Sequence, residues 1–312
     1  MPEVSVLIPV KNQQARIRSC LDAVYAQQGP KFEVIVVDSG STDGTLEILG
    51  GYPLRLVQIP PQDFHHARTR NRLAALAQSD LLVYLGGDAV PQSSQWLAAL
   101  LAPLSDPSVD AVYGRQIPRE GASLERQAAL ALMYGDQPIR KHRSELARQG
   151  YLLYHFSTVT CAIRRDVWRR HPFPEHLPVF EDMGFAKSLL DDGGTIIYQP
   201  AAVVCHSHDY PAGRLFRRFY DTGAIYERLG IWRAGAGQRR TLVRDGLATA
   251  GGKLRRLGHE SVGQVCADLG RDALKFAGLS LGRRERWLPL ALKRRLTCFG
   301  IYDPAPRRST ER

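Results

Sequence analysis

Val34-Ile35-Val36-Val37-Asp38-Ser39-Gly40-Ser41-Thr42-Asp43-Gly44-Thr45 passes from four apolar residues into a carboxylate and then a polar turn. A short β-branched run bounded by turn residues reads as a strand buried on both faces. Asp38 then stands at the carboxyl end of that strand, the edge at which open α/β sheets bind ligands. Before it, Val4 to Val10 reads as a strand. Ile17, Cys20, Leu21, Val24 and Tyr25 then fall at helical spacing within Arg16 to Gln27, which Gly29-Pro30 stops. After it, a short helix opens near Thr42 to Thr45, with Ser41 or Thr42 as its cap. Leu54 to Ile59 reads as a strand, 60–64 as a stiff loop, Ala67 to Gln78 as a helix, and Leu81 to Leu85 as a strand ending in Gly86-Gly87-Asp88. This rhythm predicts an α/β fold with a Rossmann-like, mostly parallel sheet flanked by helices.

With 312 residues, the chain has room for one large domain and an appendage. No run of ~18 apolar residues predicts a membrane span. The first residues lack the basic and apolar regions of a signal peptide. Five scattered cysteines without Cys-x-x-Cys spacing fit reduced thiols in a cytoplasmic protein and suggest no zinc site. The net charge of +11 is unevenly placed: residues 1–210 carry 20 Lys and Arg against 22 Asp and Glu, while residues 211–312 carry 22 against 9. A basic last third suits an anionic partner, or else forms a solvated helical surface.

Two carboxylates, Asp38 and Asp88, thus lie at strand ends. At this point the chain resembles the nucleotide-sugar glycosyltransferases of the GT-A fold, family 2. The matching residues are Val6-Leu7-Ile8-Pro9-Val10-Lys11-Asn12, Asp38 to Thr45, Arg70-Asn71, Asp88-Ala89-x-Pro91 and Glu181-Asp182, in that order over residues 4–210. Within that family, Phe64-His65-His66-Ala67-Arg68-Thr69-Arg70-Asn71 and Val203 to Tyr210 resemble segments of bacterial rhamnosyltransferases. The resemblance implies a GT-A domain over 1–210 and an inverting transfer of a sugar to a hydroxyl of a glycan or polyprenyl-diphosphate-linked acceptor. Its best guess for the donor is dTDP-L-rhamnose, with a UDP-sugar or GDP-mannose as alternatives.

The residues can be assigned work on chemical grounds as well. An ionised carboxylate accepts the N–H of a nucleotide base directionally, so Asp38 can read N3–H of uracil or thymine, as the resemblance also implies. Alternatively it caps its own turn. Asp43 suits helix capping better than catalysis. Asp88 would face the diphosphate through Mg²⁺ or Mn²⁺. The family often shows Asp-x-Asp there, and Gly86-Gly87-Asp88 keeps one carboxylate. The glycines would let a diphosphate approach the backbone closely.

His206 and His208 alternate on an extended segment and point to one side. The resemblance assigns metal binding to His206. His208 then contacts the diphosphate or braces the loop. Arg68, three residues before Asn71, can clamp phosphate, or it is a solvated helix charge. Asn71 holds the sugar or braces Asp88. The donor-binding set is therefore Pro9, Asn12, Asp38, Ser41, Asp43, His66, Arg68, Arg70, Asn71, Gly87, Asp88 and His208, and the metal set is Asp88 and His206. A base for the acceptor hydroxyl must lie within hydrogen-bond reach of it. The resemblance gives that role to Asp182, with Glu181 in support. The alternative is a helix N-terminal charge.

Ser93 to Leu104 and Leu124 to Tyr134 read as helices, Val109 to Gln116 and Ser157 to Ile163 as strands, and Gln137 to Gly150 as a loop over the site. Beyond Pro211 the segments Gly213 to Leu229, Leu242 to Leu257, Val262 to Phe276 and Trp287 to Leu296 read as a basic helical appendage. Such helices lie on anionic membranes, which predicts peripheral attachment to the inner face of the cytoplasmic membrane. Two rivals remain: a nucleotidyltransferase, disfavoured because no Gly-rich loop follows the first strand, and a basic nucleic-acid- or membrane-binding protein with an inactive transferase fold. No nucleic-acid recognition motif supports the latter, and no nucleic-acid partner is expected.

Overall fold

The computed structural model describes residues 2–232 and 262–303. Strands β1 (Val4–Val10), β2 (Phe32–Asp38), β3 (Arg55–Gln58) and β4 (Leu81–Leu85) form the parallel part of one nine-stranded sheet, in the order β3-β2-β1-β4. The parallel strands are packed on both faces. Val4, Val6, Ile8, Val34, Val36, Val83 and Leu85 point into one core, and Leu7, Ile35, Val37, Leu82 and Tyr84 into the other. This two-sided burial is why the segments read as near-continuous apolar runs.

Helix α1 (Ile17–Tyr25) covers one face with Ile17, Cys20, Leu21 and Val24. After α2 (Thr45–Leu49), α3 (His66–Leu76) covers the other face with Ala67, Leu73 and Ala74. The α2 turn is capped by neither Ser41 nor Thr42. Asp43 Oδ1 accepts from Thr45 N at 3.0 Å and from Thr45 Oγ1, while Gln14 N donates to Oδ2. Asp43 is thus a structural cap, which corrects its expected place in the donor set.

Past β4 the sheet becomes mixed. β5 (Val90–Pro91) is followed by α4 (Trp96–Leu101), β6 (Ala111–Ile117) and α5 (Leu124–Met133). The order continues β4-β8-β6-β9-β5, where β8 is Thr160–Arg164 and β9 is Ile196–Cys205. β8 is antiparallel to β4 and β6, whereas β9 runs parallel to β6. Residues 137–150, expected as a loop over the site, instead contain β7 (Ile139–Lys141), antiparallel to β9, and α6 (Leu146–Gln149). Buried Lys141 fixes this segment by donating to the Leu152 and His155 carbonyls at 2.8 and 2.6 Å. Helices α7 (Arg165–Arg170) and α8 (Glu181–Asp191) follow β8.

The basic region contains α9 (Ala212–Arg228), α10 (Val262–Gly282) and α11 (Leu290–Leu296). The expected helix over 242–257 lies outside the described residues. Helices α9 and α10 meet at glycines: a Cβ on Gly223 would fall 2.3 Å from Leu279 O, and one on Gly282 would fall 2.1 Å from Tyr220 O. Arg271 and Lys275 of α10 pair with Glu125 of α5. Leu177, Val179, Ala224, Ile225 and Ile301 form a small core joining α9 and the chain end to the segment before α8. Among the described residues no helix is long and apolar enough to cross a membrane.

Candidate active site

Asp38 closes β2, and Asp88 lies three residues past β4. Both therefore sit at the carboxyl edge on either side of β1, where Val10 pairs with Asp38. Asp38 is 1 % exposed. Its Oδ2 accepts from Gly40 N (2.9 Å) and Ser41 N (3.0 Å), and its Oδ1 accepts from Ser41 Oγ. These are the contacts of the turn-capping alternative. Gly40 makes the turn possible: its φ is +76°, and a Cβ would meet Pro61 Cγ at 2.5 Å. Asn12 joins this turn to the end of β1. Its N donates to Ser41 Oγ, and its Oδ1 accepts from Thr42 N, both at 2.8 Å.

Around Asp88 the expected cluster is present. His206 Nε2 lies 3.6 Å from Oδ1 and His208 Nε2 lies 3.1 Å from Oδ2. One ligand atom from each of the three groups falls within 4.8 Å of the others. The cluster depends on an irregularity. The β6–β9 register jumps between Gly114 and Arg115, after which His206 N donates to Ile117 O. Gly114 is needed because a Cβ would sit 2.4 Å from Ala202 O.

His206 Nδ1 faces Gln116 Oε1 at 2.9 Å. An amide oxygen only accepts, so Nδ1 carries the proton and Nε2 turns its lone pair toward Asp88. Burial pushes this imidazole down to about 4, against the pull of Asp88. Burial alone would raise Asp88, but the hydrogen bonds from His208 and Arg119 outweigh it and hold the carboxyl well below the usual range. An ionised carboxylate beside a neutral imidazole fits a divalent cation.

Sequence reasoning missed three contributors here. Arg119 donates from Nη2 to both Asp88 O (2.7 Å) and Oδ2 (2.8 Å), and from Nη1 to Ser207 O (2.6 Å), stapling the two loops together. Gln116 and Tyr134 form the support behind His206, with Gln116 Nε2 donating to Tyr134 Oη at 2.5 Å. Gln116 follows Arg115 in the strand and carries no motif by which the sequence could have singled it out. Gly87 departs from its expected role, because a Cβ there would meet Val10 Cγ1 at 2.6 Å and Pro9 O at 3.3 Å. The glycine lets β1 approach closely.

The α3 residues also differ from expectation. His65 caps the helix, its Nδ1 accepting from Arg68 N. Asn71 is occupied by the 168–175 segment. Its Oδ1 accepts from Trp168 Nε1 and Phe173 N, and its Nδ2 donates to Phe173 O and Glu175 Oε1. Arg70 pairs with Glu181 at 2.7 Å and donates to His66 O, so it is a holder of the acidic pair rather than a phosphate clamp. His66 packs edge-on to Phe64, and burial pushes it down to about 4. Arg68 is half-buried and has no ion pair among the described residues.

Glu181 and Asp182 open α8. The preceding Phe180 has a left-handed φ of 61°, a strained conformation for a bulky residue. The rings of Tyr226 and Phe299 hold it, and Arg218 lies over its face. Asp182 Oδ1 accepts from Met183 N at 2.9 Å. Burial and then the charge of Glu181 push the Asp182 carboxyl well above the usual range, against the opposing charge of Arg70. Its charge is also felt at Tyr134, which links it to the support of His206.

A base-side carboxylate at one helix start and an Asp–His cluster across the sheet edge are the parts of a group-transfer site. Residues 5–171 match the sequence model of glycosyl transferase family 2, and the chain belongs to that family. It is a glycosyltransferase. It is 30% identical over 309 residues to the O-antigen chain rhamnosyltransferase WbaN of Salmonella anatum, covering 97% of this chain and 96% of that one. It is 29% identical over 307 residues to the O-antigen chain rhamnosyltransferase RfbN of Salmonella typhimurium, covering 96% of each. Among solved structures it is similar to the mannosyltransferase PcManGT of Pyrobaculum calidifontis in complex with GDP-Man and Mn²⁺, with a TM-score of 0.63 at 20% identity over 91% of this chain and 88% of that one. The fold is GT-A-like, with C-terminal helices.

Proposed function

We propose that the chain transfers L-rhamnose from dTDP-rhamnose to a hydroxyl of a glycan acceptor in cell-surface polysaccharide assembly, by single displacement with inversion. The observation that carries the reading is geometric: Asp88, His206 and His208 gather at the carboxyl edge of the sheet, and the acidic pair Glu181-Asp182 opens α8 with Glu181 held by Arg70. The near-full-length likeness to two rhamnosyltransferases supports the donor.

Asp182 takes the proton of the acceptor hydroxyl as that oxygen bonds to the anomeric carbon, and the nucleoside diphosphate leaves on the opposite face. Glu181, fixed by Arg70, keeps Asp182 basic and helps to seat the acceptor. Asp38 reads the base N3–H once the Ser41 hydroxyl rotates off Oδ1. Asp88 Oδ1 and His206 Nε2, with His208 beside them, would hold a divalent cation, and the imidazole donor favours Mn²⁺ over Mg²⁺. Bound there, such an ion supplies Lewis-acid neutralisation of the diphosphate. Pro9, His66 and Arg68 complete the proposed donor-binding set.

A thermal-shift panel of dTDP-rhamnose, UDP-sugars and GDP-mannose with Mn²⁺ or Mg²⁺ tests the donor, since a ligand raises apparent stability with its affinity for the native state. The largest shift is expected with dTDP-rhamnose. A shift with GDP-mannose alone overturns the reading.

The protein works as a cytoplasmic enzyme attached to the inner membrane face, where a polyprenyl-diphosphate acceptor is presented. Exposed Trp287, Leu290 and Leu292, beside Arg286, Lys293, Arg294 and Arg295, support this. Full-length protein should float with phosphatidylglycerol vesicles, and a Trp287→Ser, Leu290→Ser variant should float markedly less. Equal flotation of the two refutes that attachment.

A further inference from the structure

We propose that Arg126 of α5 and Arg214 and Arg218 of α9 form an anion subsite around Tyr210, beside Asp182, that takes the diphosphate of the acceptor. The assignment rests on the reading of the chain as a transferase with a diphosphate-linked acceptor.

Arg218 is caged by three rings, with its guanidinium carbon 5.2 Å from the Tyr210 centroid, 5.6 Å from Phe299 and 6.0 Å from Phe180. Arg214 lies over the same Tyr210 ring at 5.5 Å. A guanidinium stacked on aromatic faces is oriented, yet keeps its N–H edge free for an oxyanion. Arg126 is half-buried, and its Nε has no hydrogen-bond partner. Ser123 Oγ accepts from Arg126 N and donates to Asp209 Oδ1, which ties the start of α5 to the Asp209-Tyr210 stretch. Asp209 attracts Arg126, but its Oδ1 is occupied by Ser123 Oγ at 2.7 Å.

Nearby basic residues on α9 and α10 behave differently. Arg228 forms a two-point pair with Glu285, and Arg271 and Lys275 share Glu125. None of the three proposed residues has a salt-bridge partner among the described residues. Three guanidinium groups near one carboxylate, Asp209, leave excess positive charge that an anion would offset, and planar forks suit diphosphate oxygens.

The donor also carries a diphosphate. Position favours the acceptor. Arg218 stacks on Phe180, which immediately precedes the acidic pair, whereas the donor diphosphate belongs to Asp88 and His206. A diphosphate held beside Asp182 would anchor the acceptor with its hydroxyl near the base.

Calorimetry on the full chain separates the sources. The probes are geranyl diphosphate in EDTA, geraniol as the uncharged control, and dTDP with Mn²⁺. Geranyl diphosphate is expected to bind and geraniol not. An Arg126→Gln, Arg218→Met variant should lose tenfold or more for geranyl diphosphate and keep dTDP affinity within twofold. An Arg126→Lys, Arg218→Lys variant should fall between, with melting curves confirming that both variants fold. Absence of geranyl diphosphate binding to the parent chain, or equal binding to parent and Gln/Met variant, overturns the subsite. A loss confined to dTDP assigns the arginines to the donor and also overturns it. Failure of dTDP to bind the parent chain would instead count against the transferase reading itself.

Discussion

Replacing Gln116 by Leu keeps the side-chain volume roughly constant and removes one amide that serves three partners. Gln116 is 5 % exposed, and its contacts to His206 Nδ1, Tyr134 Oη and Ser157 Oγ measure 2.9, 2.5 and 2.8 Å. A buried polar group left unsatisfied costs about 1–3 kcal/mol. The hydroxyls can turn to other partners, whereas the His206 N–H is held by its strand, so a total near 2–5 kcal/mol is expected. The larger effect falls on the cation. Without the amide oxygen nothing selects the His206 tautomer that aims a lone pair at Asp88, and loss of such support weakens metal binding about 10–100-fold. Mn²⁺ titration by calorimetry measures the affinity, and urea unfolding measures the stability. Gln116→Glu, which retains an acceptor for Nδ1–H, should preserve most of the Mn²⁺ affinity. A folded Gln116→Leu protein binding Mn²⁺ within twofold of the parent would refute the role given to Gln116, and with it the choice of Nε2 as ligand.

Asp182→Asn should cost about 10²–10⁴ in transfer while leaving dTDP binding intact, since a positioned base contributes on that scale; retained turnover places the base elsewhere. The parent enzyme should lose kcat as pH falls through a value above the ordinary carboxylate range, because the raised Asp182 must be ionised to act. The stability sign is the reverse of a paired carboxylate. The folded state holds the proton to higher pH than the unfolded chain, so this group lowers stability as pH rises from about 4 toward its raised value. Asp182→Asn should therefore melt higher than the parent at pH 8 and equally at pH 4, and a lower melting point at pH 8 would contradict the burial argument. Gly87→Ala should destabilise the fold by about 1–3 kcal/mol in urea, through its clash with Val10; unchanged stability with weakened donor binding would return the glycine to the diphosphate.

Most of the parallel half of the sheet was readable, although the strand expected over Leu54 to Ile59 is shorter, Arg55–Gln58. Val4–Val10, Phe32–Asp38 and Leu81–Leu85 have the expected bounds because burial on both faces leaves an unbroken apolar signal. The other half was not. Ile139–Lys141 is polar and basic and becomes a strand only because β9 pairs with it, a non-local cause that no local pattern records. Asp88, His206 and His208 were legible because strand ends and alternating histidines carry their own geometry. Asn71 and Arg70 were placed on the right helix with the wrong partners, since the 168–175 segment and Glu181 lie about a hundred positions away. Arg119 and Gln116 had no motif at all, and their role arises from the β6–β9 irregularity that turns β9 toward Asp88.

The arrangement also explains why one carboxylate at the Gly86-Gly87-Asp88 corner is enough. A second acid there would repel Asp88, and one of the two would hold a proton at neutral pH. A neutral imidazole in its place supplies a lone pair without a charge, so Asp88 remains an anion with Arg119 and His208 beside it. At the start of α8 the opposite choice is made. Glu181 is kept next to Asp182, so the second acid raises the first, while Arg70 takes up the charge of Glu181 and leaves Asp182 unpaired. The same residue type is thus driven toward the anion in one place and toward the proton in the other. At Asp182 burial and then the Glu181 carboxylate favour the proton, whereas at Asp88 the hydrogen bonds from His208 and Arg119 outweigh burial.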